Sequence, residues 1–297
     1  MLLLEQALGC PSETGQVEVC DCLINYECWG NVGQPGLLLI HGSNAHLNWW
    51  RIIAPFLAEH FRVAAIDLSG NGDSAWRGAY SGEVFSEEVM AVCDAARLGE
   101  RPYIAGHSFG GYVTLETGHL NSENLGGIVL IDFAIRPPQV KDDIADFHRE
   151  ALSKPARPTR IYLEKEAALA RFRLVPEQTC KNTQLLRYVA EQSLHKVEGG
   201  WTWKFDPDLF RNLDVEHIQK SDPTVKLMDL NCPCAFIMGE KSLDYPPEAL
   251  IYTKELTKGR IPMFSIPGTF HHLMFDEPVA MITALKNTLL MWEAQKK

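Results

Sequence analysis

A chain of 297 residues, 46% hydrophobic and 22% charged, can bury one large core or a core that carries an insertion. Its formal net charge of −10, with no run of lysines or arginines, argues against general binding to nucleic acid or to an anionic membrane. No stretch approaches the roughly 18 consecutive apolar residues of a membrane-spanning helix, so no transmembrane segment is expected.

The chain starts Met1-Leu2-Leu3-Leu4-Glu5, without a basic flank and with an early carboxylate, which does not read as a secretory signal. A cytoplasmic protein is the expectation. The first strand is predicted over 16–26, where Cys20 and Cys22 flank Asp21 and would share one face. A strand over 36–41 runs into His41-Gly42-Ser43, and a helix over 48–59 follows, opening on Trp49 and Trp50. The next strand, 62–67, meets the turn Asp67-Leu68-Ser69-Gly70-Asn71-Gly72-Asp73-Ser74. Asp67 and Asp73 could be mistaken for a metal or acid–base pair, but the glycine-rich turn between them reads as structural. A helix over 85–98 leads to a strand over 102–106.

The next six residues, Gly106-His107-Ser108-Phe109-Gly110-Gly111, carry most of the functional information. A strand precedes them and a helix over 110–120 follows, the setting in which G-x-S-x-G forms a nucleophile elbow. A serine on such a turn needs small neighbours, because a Cβ at 106 or 110 would collide with the flanking elements. The strand 127–132 ends on Asp132. From Ala134 to Val225 the strand–helix rhythm stops, with Arg136-Pro137-Pro138 at the exit. Charge-rich helical stretches over 142–152, 161–173 and 182–195 follow, with no buried strand expected. A strand over 234–239, a helix over 247–256, a strand over 261–266 and a helix over 279–293 complete the chain. The eight cysteines lack zinc-ligand spacing and read as reduced thiols of a reducing compartment.

Serine attacks only with a base beside it, and histidine has the pKa for that role. Pro267-Gly268-Thr269-Phe270-His271-His272 directly follows the last predicted strand. The order nucleophile, acid, histidine suits an α/β hydrolase. The chain resembles cap-bearing α/β-hydrolase-fold enzymes of the esterase, lipase and C–C-hydrolase group on four motifs: His41-Gly42-Ser43, the 67–74 turn, the 106–111 elbow and the 268–278 loop. The likeness covers nearly the whole chain outside the insertion. It implies an α/β fold with a mostly parallel sheet of about eight strands and a mainly helical cap inserted after strand 6. The implied core domain is 1–134 with 226–297, and the implied cap is 135–225.

The same resemblance implies roles. Pro278, seven residues after His271, marks that histidine as the catalytic one. His272 reads as a loop histidine bonded to backbone, and His41 and His107 as supports of loop geometry. Most relatives carry the acid where this chain has Ser242, which cannot hold the charge. Asp132 and Asp244 are the replacements, with Glu240 a distant third. Asp132 is preferred, because it ends a strand and resembles the acid site of haloalkane-dehalogenase-like relatives. The Ser43 and Phe109 amides would form the oxyanion hole. Ser108 favours acyl transfer over the alkyl-enzyme chemistry of relatives with an aspartate at the elbow. Trp49, Trp50, Trp201 and Trp203 would line a hydrophobic substrate pocket; Arg157, Arg160, Arg171 and Arg173 of the insertion would either meet a substrate carboxylate, as in relatives that cleave C–C bonds, or form a solvated charged helix face, the more common case. The expected protein is a serine esterase of a small-to-medium hydrophobic substrate, monomeric or homodimeric, needing no cofactor or metal. The alternatives are C–C bond hydrolysis of a diketone-like compound with the same triad, and a silent ligand-binding member of the fold.

Overall fold

The computed structural model describes residues 2–138, 152–153, 158–214 and 222–296. Most of the predicted helix 142–152, and Arg157, lie outside these. Eight strands form one sheet: β1 (Glu13–Val19), β2 (Cys22–Trp29), β3 (Gly36–Ile40), β4 (Arg62–Ile66), β5 (Tyr103–His107), β6 (Gly127–Ile131), β9 (Cys234–Gly239) and β10 (Met263–Ile266). Their spatial order is β1-β2-β4-β3-β5-β6-β9-β10. The pairs β1·β2 and β2·β4 are antiparallel and the rest parallel. This is the α/β-hydrolase architecture that the motifs imply.

The strands read as continuous apolar runs because helices cover both faces of the sheet. Leu38, Ile40, Ile104, Ile128 and Leu130 bury against one layer. Leu37, Leu39, Ala105, Val129 and Ile131 bury against the other. The first layer includes the helices Gly82–Ala95 and Phe109–Asn121, and the second includes Pro278–Gln295.

Two expectations need correction. The single strand over 16–26 is a hairpin, turning at Cys20 (φ 46°) and Asp21 (φ 58°). Two successive left-handed residues suit a tight hairpin turn. Cys20 is therefore exposed in the turn while Cys22 is buried in β2, and the two share no strand face. The segment after β6, expected to be helical with no buried strand, also contains a strand pair among its described residues. It holds the helices Lys165–Leu169 and Thr183–Gln192, but also a hairpin of β7 (Leu194–Val197) and β8 (Gly200–Trp203). Backbone bonds stitch this insertion to the glycine-rich turn, with Gly72 N donating to Lys204 O at 2.8 Å and Asp206 N to Gly70 O at 2.7 Å.

Candidate active site

Ser108 follows β5 and precedes the helix Phe109–Asn121, with φ 55° and ψ −118°. A non-glycine residue there is strained, and the surroundings hold it in place. A Cβ on Gly110 would lie 2.5 Å from His41 O and 2.6 Å from Ile40 O, and one on Gly111 2.7 Å from Phe133 Cβ. One on Gly106 would overlap Gly110 O and Thr114 Oγ1. The elbow glycines are thus the close approaches expected from sequence. Gly42 brings the loop after β3 alongside, since its Cβ would fall 3.3 Å from Ser108 Cβ. Ser43 is exposed on that loop, and Phe109 begins the helix whose first amides have no partner within it.

Asp132 directly follows β6, at φ 46° and with a fully buried side chain. Its Oδ1 accepts from Gly239 N at 2.7 Å and its Oδ2 from the Ser242 hydroxyl and from His271 Nδ1, the latter at 2.6 Å. Tyr245 OH reaches Oδ1 at 3.4 Å. Because the carboxylate accepts, Nδ1 of His271 carries the proton and Nε2 keeps its lone pair. Asp244 Oδ2 is 3.8 Å from the same Nδ1, and its side chain is 38% exposed. Of the two candidate acids, the hydrogen-bonded and buried one is Asp132. Glu240 turns away to accept from Gly268 N at 2.8 Å.

His271 reaches the elbow through His107. His107 Nε2 donates to His271 O at 2.8 Å, and the two rings lie 4.6 Å apart. Ser108 N donates to Ile131 O at 3.0 Å, joining the serine to the strand end that carries Asp132. No hydrogen bond joins the Ser108 hydroxyl to another group among the described residues.

His41, His107 and His272 are neutral supports. His41 Nε2 accepts from Leu68 N at 3.1 Å and its Nδ1 donates to Gly42 O at 2.7 Å, and burial lowers its pKa to about 4. Burial, with His271 and His272 nearby, holds His107 well below the usual value. His272 is lowered to about 3 by burial and then by His271. Its ring bonds the Gln178 side chain at 2.8 Å, where a backbone partner was expected. Asp67 accepts from Leu47 N, Asn25 Nδ2 and Asp73 N, so it braces the turn. Burial still raises its pKa to about 6.

The structure does not gather the four tryptophans. Trp50 is fully buried in the core, and Trp49 packs on His272 and Phe275 with centroids 5.4 and 5.0 Å away. Trp201 and Trp203 pack in the insertion's own small cluster, beside Tyr162 and Phe172. Phenylalanines adjoin the elbow residues. The Phe109 ring is 5.4 Å from Phe210 of the insertion, and Phe133 abuts Gly111. Sequence reasoning missed Ser242 and Tyr245 as donors to Asp132, and Gln178 altogether. The first two depend on how β9 is registered against β6, which no short motif encodes, and Gln178 offered no signal.

Fold and elbow together define a chain of the α/β-hydrolase class. The chain belongs to the alpha/beta hydrolase family, whose model matches residues 37–284. It is 27% identical to a putative esterase/lipase of Haemophilus influenzae, over 90% of this chain and 88% of that one. It is also 27% identical to a 2-hydroxy-6-oxo-6-(2'-aminophenyl)hexa-2,4-dienoic acid hydrolase of Metapseudomonas resinovorans, over 62% of this chain and 65% of that protein. The chain spans about half the length of several other curated relatives it matches. In fold it is similar to E-2-(acetamidomethylene)succinate hydrolase, with a TM-score of 0.77 at 18% identity, covering 93% of this chain and 98% of that one. Among the described residues, no helix is long and apolar enough to cross a membrane, and no His/Cys/Asp/Glu group could hold a metal ion.

Proposed function

We propose that this chain is a serine hydrolase that cleaves carboxylic esters of small-to-medium hydrophobic acids through an acyl-enzyme. The observation that carries the reading is the 2.6 Å bond from His271 Nδ1 to buried Asp132, which leaves Nε2 as the base on a loop that His107, the chain neighbour of strained Ser108, anchors at 2.8 Å. In this reading Nε2 takes the Ser108 proton as Oγ attacks the ester carbonyl, and the amides of Phe109 and Ser43 hold the oxyanion. The intermediate then collapses, breaking the C–O bond to the alcohol, which leaves with the proton from His271. His271 next deprotonates water, which attacks the acyl carbonyl and frees the acid and Ser108. Asp132 fixes the tautomer and stabilises the imidazolium. Asp244 is the outer carboxylate.

Residues 135–225 serve as a cap over a core of 1–134 and 226–297. The acyl group is held by Phe109, Phe133 and Phe210, with Trp49 behind the histidine loop, and no cofactor or metal takes part. Free thiols at all eight cysteines support a reducing, cytoplasmic setting. The test is labelling by a fluorophosphonate probe. Wild type is expected to label at Ser108, and the Ser108→Ala variant not at all; a folded wild type that stays unlabelled would end the proposal. The Metapseudomonas relative, by its name a hydrolase of a hexadienoic acid, favours a second reading, C–C cleavage with the same three residues. Turnover of a diketone in preference to every chromogenic ester would select it.

A further inference from the structure

Gln178 belongs to the insertion, yet its carboxamide grips the loop that carries His271. Its Oε1 accepts from His272 N at 2.9 Å and lies 2.8 Å from His272 Nδ1. Its Nε2 donates to both oxygens of Asp276, at 3.2 and 3.1 Å. Asp276 Oδ2 accepts in turn from Phe270 N at 2.8 Å. The orientation of the amide is set by these partners, since the Asp276 carboxylate can only accept and the His272 backbone N–H can only donate. The ring of His272, buried and neutral, therefore presents Nδ1–H to Oε1 and leaves Nε2 bare.

These bonds enclose His271. Phe270 is held through Asp276, His271 O by His107 at 2.8 Å, and His272 by Gln178. Two of the three anchors come from the core. The third crosses from the insertion and, through Asp276, also braces the first. Nearby, Cys180 of the insertion points its thiol at Phe275 O, 3.9 Å away. Gln178 itself touches neither Ser108 nor Asp132 among the contacts described.

We propose that Gln178 is a positioning residue that couples the seating of the insertion to the aim of the His271 imidazole. Resting on the proposed serine-hydrolase reading, this makes the histidine competent only when the insertion is docked. Proton transfer depends steeply on geometry, and a misplacement of about 1 Å can cost on the order of 100-fold in rate.

The experiment measures fluorophosphonate labelling rate, and kcat and KM for p-nitrophenyl butyrate, in the full chain. Gln178→Leu is expected to slow labelling and lower kcat by about 10- to 100-fold, with KM within about twofold, because the group lost touches the histidine loop and no substrate. Gln178→Glu sets two carboxylates face to face and is expected to be at least as slow. The exchange Gln178→Glu with Asp276→Asn rebuilds the network with acid and amide swapped. The carboxylate introduced at 178 accepts from His272 and from the amide introduced at 276, whose carbonyl oxygen still accepts from Phe270 N. This double variant is expected to recover most of the labelling rate. Unchanged labelling in Gln178→Leu, or a folded exchange variant no faster than Gln178→Glu, would overturn the proposal, and the exchange decides even if Gln178→Leu fails to fold. Ser108→Ala separates the two claims. Labelling that survives in Ser108→Ala sinks the serine-hydrolase reading, whereas labelling lost there and unaltered in Gln178→Leu sinks this inference alone.

Discussion

The edge of the sheet that carries Ser108 and the insertion after β6 are held by different physics. At the elbow, backbone meets backbone: a Cβ on Gly110 would strike two carbonyl oxygens of β3 and its following residue. Two non-glycine residues there, Ser108 and Asp132, sit at positive φ because the parallel strands around them leave no alternative. The insertion is seated mainly by side chains. Leu209 and Leu213 join one apolar layer of the core and Leu174, Leu185 and Val189 the other, and polar side chains also cross the seam. Tyr80 OH donates to Asp206 at 2.6 Å, Tyr188 OH to Asn48 Oδ1 at 2.9 Å, and Lys204 meets Asp73. A rigid edge can hold a reaction geometry, whereas a seam of side chains can be tuned or shifted without disturbing it.

The largest expected effect lies on the rigid side. Asp132→Asn keeps the shape of the acid but presents an amide to His271, so the wrong tautomer is favoured. Turnover of a chromogenic ester is expected to fall by about 10⁴-fold. Asp244→Asn, 3.8 Å from the same nitrogen and half in solvent, is expected to stay within about threefold. A pair of steady-state assays decides. Equal losses would mean that the half-exposed carboxylate shares the role.

That contrast also shows what could be read from sequence. The elbow was legible because its constraints are local: two glycines flank the serine, and a strand and a helix flank the glycines. The choice of Asp132 was legible as a strand end, but the Ser242 hydroxyl that donates to it was not. That bond depends on the register of β6 against β9, where Asp132 N donates to Ile237 O, and no short motif encodes register. The first hairpin was hidden because Cys-Asp at its turn lacks the usual Asn-Gly signature. The second had a signal that went unused, since Gly199-Gly200 precedes the alternating Trp201-Thr202-Trp203. The surroundings of the tryptophans were hidden for another reason. Size and hydrophobicity say that a side chain will be covered, but not by what: Trp50 packs in the core, Trp49 on His272 and Phe275, and Trp201 and Trp203 in the insertion's own cluster.

One substitution made in both regions sharpens the comparison next. Gly110→Ala forces a methyl group against His41 O and Ile40 O, neither of which can move without shifting β3, and about 3 kcal/mol of stability should be lost. Gly199→Ala in the turn between β7 and β8 meets only Ile161 Cγ2 at 3.9 Å and costs the strain of φ 85°, about 1–2 kcal/mol. Urea melts of the two variants check this, and a Gly199 variant as unstable as the Gly110 one would erase the distinction.

Acid should act at the seam and in the core alike, since burial also holds His107 well below its usual value. His46 Nε2 donates to Ser193 of the insertion at 2.9 Å and His272 bonds Gln178, while burial depresses both pKa values to about 3. His41, on the core side, is lowered to about 4. An unfolded chain protonates these rings near 6.5, so it binds more protons than the folded chain between that pH and the folded values. Their contribution is therefore complete above pH 6.5 and is lost as pH falls toward 4 and 3. From pH 7 to 5 each ring should cost up to about 2 kcal/mol, and Asp67, raised to about 6, offsets about 1 kcal/mol in the opposite sense. Thermal melts at pH 7, 6 and 5 should fall in that order, and His46→Asn should flatten the trend. A midpoint that rises on acidification would contradict the assignment of neutral rings.

The smallest effect is the most discriminating about how the insertion is held. Lys204 Nζ lies 2.7 Å from Asp73 Oδ1, with the carboxylate side chain 54% exposed. Ion pairs of this kind are worth about 0–1 kcal/mol and weaken with salt. Lys204→Met keeps the stem that covers apolar surface and leaves intact the backbone bonds of Gly72 N to Lys204 O and of Asp206 N to Gly70 O. Stability is expected to change by less than about 1 kcal/mol, and fluorophosphonate labelling by less than about twofold. If labelling fell instead by the factor expected of Gln178→Leu, the charge pair rather than the carboxamide clasp would be what aligns the insertion with the histidine, and the seam would be governed by ionic strength. Repeating the labelling at low and high salt separates the two, because bonds from an uncharged carboxamide respond less to screening than an exposed ion pair does.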